Sequence, residues 1–428
     1  MLGFVRRIAV DISPLRESRD YRRVWSGQLI SLIGRQVTVV AVPFQVYSLT
    51  RSSVAVGAIG IFQVVPYVLL SLVGGSIADR VDRRRLLLVT QLLLAAASAV
   101  LMLAAFFNFA SLALLYVMVG VVAAISAVNL PGQAAMTPNL VKREHLPSAM
   151  ALNFAEFQTS LIAGPAVAGL VLARVGLGAA YAIDVVTFGA SLLALFLIPA
   201  QPPKDRHEES PLQSIVQGFR FVARQKAVLG GFAVDLNAMI FGMPRALFPV
   251  LAIATYHAGP GGLGLLYAAP GVGAVLGSVL SGFVAHIRRQ GRAVIVGAAG
   301  WGLAILLFGL LTNSLWLGLA LLAIAGAFDT VSAIARSTVL QTVTPDRLRG
   351  RANAANSMVV VGGPMVGDIR AGAMGGLISP EFSLVFGGAV VLAACAVIAH
   401  VFPALTDYDS LAPPAPGAEP VIQAEPVV

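Results

Sequence analysis

The sequence predicts an all-α polytopic membrane protein, with twelve transmembrane helices arranged as two pseudo-symmetric six-helix bundles. Three observations predict it. Of 428 residues, 57% are hydrophobic and only 11% charged, too little charge to cover a soluble domain of this size. The apolar runs are continuous, as helices crossing a bilayer in roughly 20 residues require, and lack the period-two alternation of a membrane barrel. Finally, the basic residues fall in alternate loops, and the first half of the chain is echoed in the second.

In chain order, the first six spans fall near 24–49, 54–78, 86–107, 111–135, 148–173 and 179–199. The last six fall near 227–256, 261–286, 293–312, 315–340, 352–378 and 382–403. Residues 1–23 are polar and basic, without the apolar stretch of a cleavable signal peptide. They form an N-terminal segment ahead of a bundle at 24–200. A polar connector at 201–226 leads to the second bundle, 227–405. The acidic, Pro- and Ala-rich residues 406–428 read as a disordered tail.

Charge fixes the orientation. The N-terminus and even-numbered loops hold Arg6 to Arg23, Arg80 to Arg85, Lys142 and Arg143, Lys204 to Lys226, Arg288 to Arg292, and Arg347 to Arg351. The odd-numbered loops hold only Arg51 and Arg174. The positive-inside rule therefore puts both termini in the cytoplasm. Gly75-Ser-Ile-Ala-Asp79 closing span 2 is matched by Gly282-Phe-Val-Ala-His286 closing span 8, and Thr137-Pro138 by Thr344-Pro345 at the same offset. Gly164-Pro165 in span 5 is matched by Gly363-Pro364 in span 11. Such a parallel repeat places a substrate site between the halves, near mid-bilayer.

Several function classes are excluded. The lone Cys395 rules out a disulfide framework or Cys-based zinc cluster, and the five histidines form no local metal motif. No metal or cofactor is expected. The net charge of +9 lies in short loops, which argues against nucleic acid as a partner. No Gly-Lys-Ser/Thr phosphate loop occurs, so ATP is not a direct energy source. No nucleophile–base pairing suggests an enzyme.

Nine charges fall inside spans: Arg35, Glu156, Asp184, Asp235, Arg245, Asp329, Arg336, Asp368 and Arg370. A charge at mid-helix costs roughly 2.5–3.5 kcal/mol on insertion scales, so such residues turn toward the bundle interior or water. Five acids and four arginines suggest mutual pairing. Asp329 and Arg336 share one face of span 10. Asp368 and Arg370, two apart, cannot face each other and are expected to pair with other spans. Asp184 on span 6 reads as structural. Asp235, Asp329 and Glu156 are candidates for a proton relay. Arg35 and Arg245 are candidates for an anionic or catechol-like substrate or for counter-ions. Gln36, Asn237 and Arg336 complete the expected pathway.

Gly75-Ser-Ile-Ala-Asp79-Arg80-Val-Asp82-Arg83-Arg84-Arg85 resembles the signature loop between helices 2 and 3 of the major facilitator superfamily. Gly164-Pro165-Ala-Val-Ala-Gly169 resembles the helix-5 motif of its antiporters. Residues 210–221, 264–270 and 340–345 are similar to the enterobactin-exporter group. The resemblance implies a monomeric secondary active exporter in the bacterial plasma membrane, moving a siderophore or drug against protons by alternating access. An importer of the same fold is the alternative reading, with a non-transporting membrane receptor or enzyme as a more distant one. It places helices 1, 4, 7 and 10 around the cavity, hence Arg35, Asp235, Arg245, Asp329 and Arg336. It assigns conformational gating to Gly75, Asp79, Arg80, Arg83, Arg84, Gly164 and Pro165, while membrane lipid headgroups compete for the loop arginines. Span 4 carries no charge, so the superfamily's helix-4 arginine scheme does not transfer.

Overall fold

A computed structural model describes residues 11–202, 211–279 and 287–409. Twelve long helices run in order: α1 Arg19–Thr50, α2 Ser53–Arg80, α3 Arg83–Phe106, α4 Leu112–Leu140, α5 Leu146–Arg174, α6 Leu177–Phe196, α7 Lys226–Gly242, α8 Gly259–Val279, α9 Gln290–Leu310, α10 Leu315–Val343, α11 Asp346–Leu377 and α12 Pro380–Val401. Eleven of the expected spans are long and apolar enough to cross a membrane. The exception is α11, whose first turns carry Arg349 and Arg351 and whose outer half carries Asp368 and Arg370. It begins at Asp346, ahead of the expected 352, because its charged first turns are helical too.

The helix starts are written in short polar residues. Ser18, Ser52, Ser111 and Ser379 each accept a hydrogen bond from a backbone N–H three residues on, and Asp82 does so from Arg85. Arg51, at φ 52°, ends α1 in the left-handed conformation and lets the chain reverse within a two-residue turn.

Packing repeats between the halves. In the first bundle α1 packs on α5 and α6, α2 on α4, and α3 on α4 and α6. In the second, α7 packs on α11 and α12, α8 on α10, and α9 on α10 and α12. Each of these pairs has its counterpart six helices later, whereas α7 also packs on α9. The bundles meet along two seams, α2–α11 and α5–α8, which exchange under the same pseudo-twofold. Small residues bring backbones together there, as in other membrane helix pairs. A Cβ on Gly57 of α2 would stand 2.8 Å from both Asp368 O and Gly372 Cα of α11. A Cβ on Gly169 of α5 would stand 3.0 Å from Gly264 Cα of α8. These approaches lie toward the Thr50 end of α1, called the outer half because the charge pattern expects that end to face away from the cytoplasm.

Three features depart from the sequence reading. Span 7 is not one helix. After Gly242 the chain turns extended at Met243, then continues as a 3₁₀ turn at Arg245–Leu247, a helical turn at Phe248–Val250 and a π-helical turn at Leu251–Thr255. Pro244 and Pro249 remove two amide donors there. The connector contains a helix, Pro211–Arg224, whose Val222 is buried against Val228, Phe232 and Leu340. Beyond α12, Pro403–Thr406 forms a short helix with Leu405 fully buried. Arg292 donates to Thr406 O, and Arg288 pairs with Asp409 at 2.8 Å. The rest of the expected tail lies outside the described residues.

Candidate functional site

Two ion pairs among the described residues lie within the membrane-spanning region, both in the second bundle. Arg336 Nη1 of α10 lies 2.7 Å from Asp235 Oδ1 of α7, and their side chains retain 10% and 2% exposure. Asp235 Oδ2 is buried without a partner. Asp329, two turns from Arg336, lies within electrostatic reach of both Arg336 and Asp235. The shared face expected for Asp329 and Arg336 is thus occupied by a three-membered charge cluster. The one cation is bonded to Asp235, and Asp329 is near enough to balance it electrostatically, so a proton can be taken up there while one carboxylate stays charged. Asn237, half a turn along α7, donates to Val391 O of α12 at 3.2 Å, while its own carbonyl oxygen is buried and unpartnered.

The second pair joins Arg245 Nη2 to Asp368 Oδ2 at 2.9 Å. It faces a cavity of about 60 Å³ in the outer half, lined by Val39, Pro43 and Gln63 of the first bundle and by Tyr267 and Asp368 of the second. Arg370 turns the other way and donates to Ile240 O, Phe241 O and Ser383 O.

The first bundle holds its charges differently. Arg35 lies over the Phe188 ring, 5.8 Å from guanidinium carbon to centroid, and within electrostatic reach of Asp184. Asp184 Oδ2 accepts from Thr38 Oγ1 and Ser98 Oγ, both at 2.7 Å. Asp184 Oδ1 and Arg35 Nε have no partner among the described residues. Arg35 therefore sits on the α1–α6 side, within the bundle. Gln36 packs against Gly164 of α5. Glu156 is buried on α5 with Oε1 unpartnered.

The loop motif works inside its own bundle. Arg84 donates from Nε to Leu195 O and from Nη2 to Phe196 O, both at 2.9 Å, and stacks on the Phe196 ring. It caps the carbonyl end of α6, as a cation should. Arg83 donates to Ala135 O of α4 at 3.2 Å. Arg80 is exposed. Gly75 and Asp79 lie on the α2 backbone, but their surroundings fall outside the described residues. Gly164 lets α5 reach α1, and the carbonyl of Pro165 meets Gly264 of α8. The sequence reading missed Thr38, Ser98 and Tyr267, since a hydroxyl on an apolar helix carries no pattern. The break in α7 did have a signal, Gly242-Met243-Pro244.

Two bundles, two glycine-lined seams and paired charges between α7, α10 and α11 define a transporter of the major facilitator type. Solved structures with this fold include the nucleoside transporter NupG (D323A mutant), with a TM-score of 0.73 at 11% identity over 90% of this chain and 100% of that one. A POT family transporter in complex with 5-aminolevulinic acid also gives 0.73, at 12% identity over 91% and 97%. The chain belongs to the transmembrane secretion effector family, whose model matches residues 9–425. It is 30% identical over 386 residues to the enterobactin exporter EntS of Citrobacter koseri, covering 89% of this chain and 91% of that protein. It is 31% identical over 381 residues to that of Shigella boydii, covering 87% and 89%. Family and relatives are multi-pass membrane transporters, not enzymes.

Proposed function

We propose that this protein is a secondary active exporter, driven by proton antiport, that moves a small organic molecule out of a bacterial cytoplasm by alternating access. The Asp235–Arg336–Asp329 cluster carries this reading. When Asp235 or Asp329 takes up a proton, Arg336 loses a partner and the α7–α10 contact changes strength. A carboxylate–arginine site whose pairing depends on protonation is the element a proton gradient needs. Rocking of one bundle against the other then exposes the site alternately to the two sides.

Export, rather than import, is supported by the secretion family and by relatives named as enterobactin exporters. We place the cargo among siderophores of catecholate type, with Arg245 as its anion partner, Arg35 as the counter-ion of Asp184 within the first bundle, and Gln36, Asn237 and Glu156 along the path. Gly75, Asp79, Arg80, Arg83, Arg84, Gly164 and Pro165 belong to the gating machinery. The protein works as a monomer in the plasma membrane, both termini cytoplasmic, its loop arginines among lipid headgroups.

The test is transport in proteoliposomes under an imposed pH gradient, with a catecholate siderophore as cargo. Asp235→Asn and Asp329→Asn should each abolish gradient-driven transport while the folded protein remains. Normal transport by both variants refutes the coupling assignment. Chrome-azurol detection of iron chelators in the medium of deleted and complemented strains tests the cargo, and uptake instead of release would establish the importer reading.

A further inference from the structure

The unexplained charges are Asp368 and Arg370, two residues apart on α11 and directed to opposite sides of the break in α7. A broken helix exposes carbonyls at the end of its first piece and amides at the start of its second. Arg370 takes the carbonyls: Nε donates to Ile240 O at 3.2 Å and Nη2 to Phe241 O at 2.5 Å. Its Nη1 also donates to Ser383 O of α12 at 2.9 Å. Asp368 takes the amide side: Oδ1 accepts from Ala246 N at 3.2 Å while Oδ2 pairs with Arg245. The cation thus meets the negative end of one helical piece and the anion the positive end of the next.

The fit around this arrangement is close. A Cβ on Gly367 would strike the Met239 carbonyl, and one on Gly387 the Phe241 carbonyl and the Arg370 guanidinium. The other face of α11 meets α2 at Gly57 and Gly372, at the outer seam. Arg245 and Asp368 line the inter-bundle cavity there with Val39, Pro43 and Gln63. The outer piece of α7 also touches α1 and α2 directly.

We infer that Asp368 and Arg370 form a clamp holding α7 in its broken form, with the Arg245–Asp368 pair as a latch that keeps the outer seam closed. Arg370 is the fixed half, because it binds backbone on α7 and α12 of its own bundle. Arg245–Asp368 is the releasable half, because it is bounded by side chains of the opposite bundle. Separating the seam widens the cavity, admits water to the pair and weakens it. The inference rests on the alternating-access reading above, but on neither the cargo nor the proton.

The experiment needs no cargo. Spin labels are placed at Leu49→Cys and Ala254→Cys in a Cys395→Ser background, and the full-length protein is studied in nanodiscs. Arg245→Gln removes the latch alone. Asp368→Asn also removes it but keeps an oxygen for the Ala246 amide. Each should raise the outer-open population about tenfold, within the usual range of coupling between two conformational elements. The double variant should add nothing further, and Arg245→Lys should restore the original distribution. Distance distributions unchanged in folded Arg245→Gln overturn the latch, even if Asp368→Asn fails to fold. Gly57→Leu, a wedge in the seam, separates the two readings. If the wedge opens the outer side and the latch variants do not, only the latch fails. If neither opens it, alternating access fails too.

Discussion

Consider the removal of one member of the Asp235–Arg336 pair. The two charges stand 2.7 Å apart with almost no residual exposure, so neither can be rehydrated when the other goes. Breaking a buried pair by deleting one partner costs roughly 3–5 kcal/mol, whereas replacing both by apolar residues of similar volume is near neutral. Asp235→Leu strands Arg336, which cannot give up its proton. Asp329 is within reach of Arg336 and softens that loss toward the lower end of the range. Arg336→Met strands Asp235, whose Oδ2 already lacks a partner. The double variant Asp235→Leu/Arg336→Met should recover most of both losses, giving a coupling energy of about 2–4 kcal/mol in a double-mutant cycle. The assay is thermal unfolding of the purified protein in detergent at fixed scan rate, each variant checked for monodispersity. A double variant as unstable as the two single losses added together would refute the reasoning. It would mean that the pair is not isolated from water and that the cluster is held apart by something else.

Three further outcomes follow from single contacts. Gly57→Leu should prevent the α2–α11 approach, where a Cβ already stands 2.8 Å from backbone on the far side; thiol reagents applied from the outer side should then label Gln63→Cys faster than in the parent. Arg84→Ala leaves two carbonyls of α6 without their cation, at roughly 1.5–3 kcal/mol for bonds to a charged group, at the low end because the site is partly exposed. Hydrogen exchange should rise at residues 195–198, and Arg84→Lys should not restore it, since one ammonium cannot fork to both carbonyls. Asp11 accepts from Ser13 N, Ser13 Oγ and Ser148 Oγ, and the Ser13 hydroxyl above all holds its carboxyl down at about 2. A depressed folded value means the link from Asp11 to Ser148 of α5 is fully held above about pH 4 and loosens as pH falls toward 2. Hydrogen exchange of residues 142–148 should show that window, and Asp11→Asn should remove it.

The legible part of this fold was what the bilayer dictates. Twelve apolar runs, a basic residue at alternate turns and a Gly-x-x-x-Asp/His mark repeated after the apolar runs of spans 2 and 8, the second copy lying outside the described residues, carried the topology, because hydrocarbon leaves a helix no alternative way to satisfy its backbone. The pairing of Asp368 with a neighbouring element was legible from the two-residue spacing to Arg370. What stayed hidden depended on partners distant in sequence. Arg35 was expected beside the cavity by its helix number alone, yet Phe188 and Asp184 draw it to the α6 side. Span 7 read as continuous because Phe241 to Tyr256 stays apolar across the break. The helix Pro211–Arg224 was masked by the polar residues before it, although Phe219 and Val222 already had helical spacing.

The pseudo-twofold makes the division of labour between the bundles readable. The offset that carries Thr137 onto Thr344 carries Asn129 onto Arg336. In α4, Asn129 is fully buried and accepts from Thr90 Oγ1 at 2.8 Å, a neutral bond within its own bundle. In α10, the equivalent position holds a guanidinium bound to the carboxylate of α7. A neutral hydrogen bond has one arrangement over the whole physiological range, so it fixes α3 to α4 whatever the pH. A cation bonded to one carboxylate with a second within electrostatic reach has several, because each carboxylate can take up a proton and the guanidinium cannot lose one. On the proposed coupling, similar helix pairing around unlike chemistry makes the α7–α10 contact of the second bundle a proton-responsive one, where its α4 counterpart is not. The proposed latch lies on that same side, since Arg245, Asp368 and Arg370 all belong to the second bundle and the pair lines the cavity where it meets the outer seam.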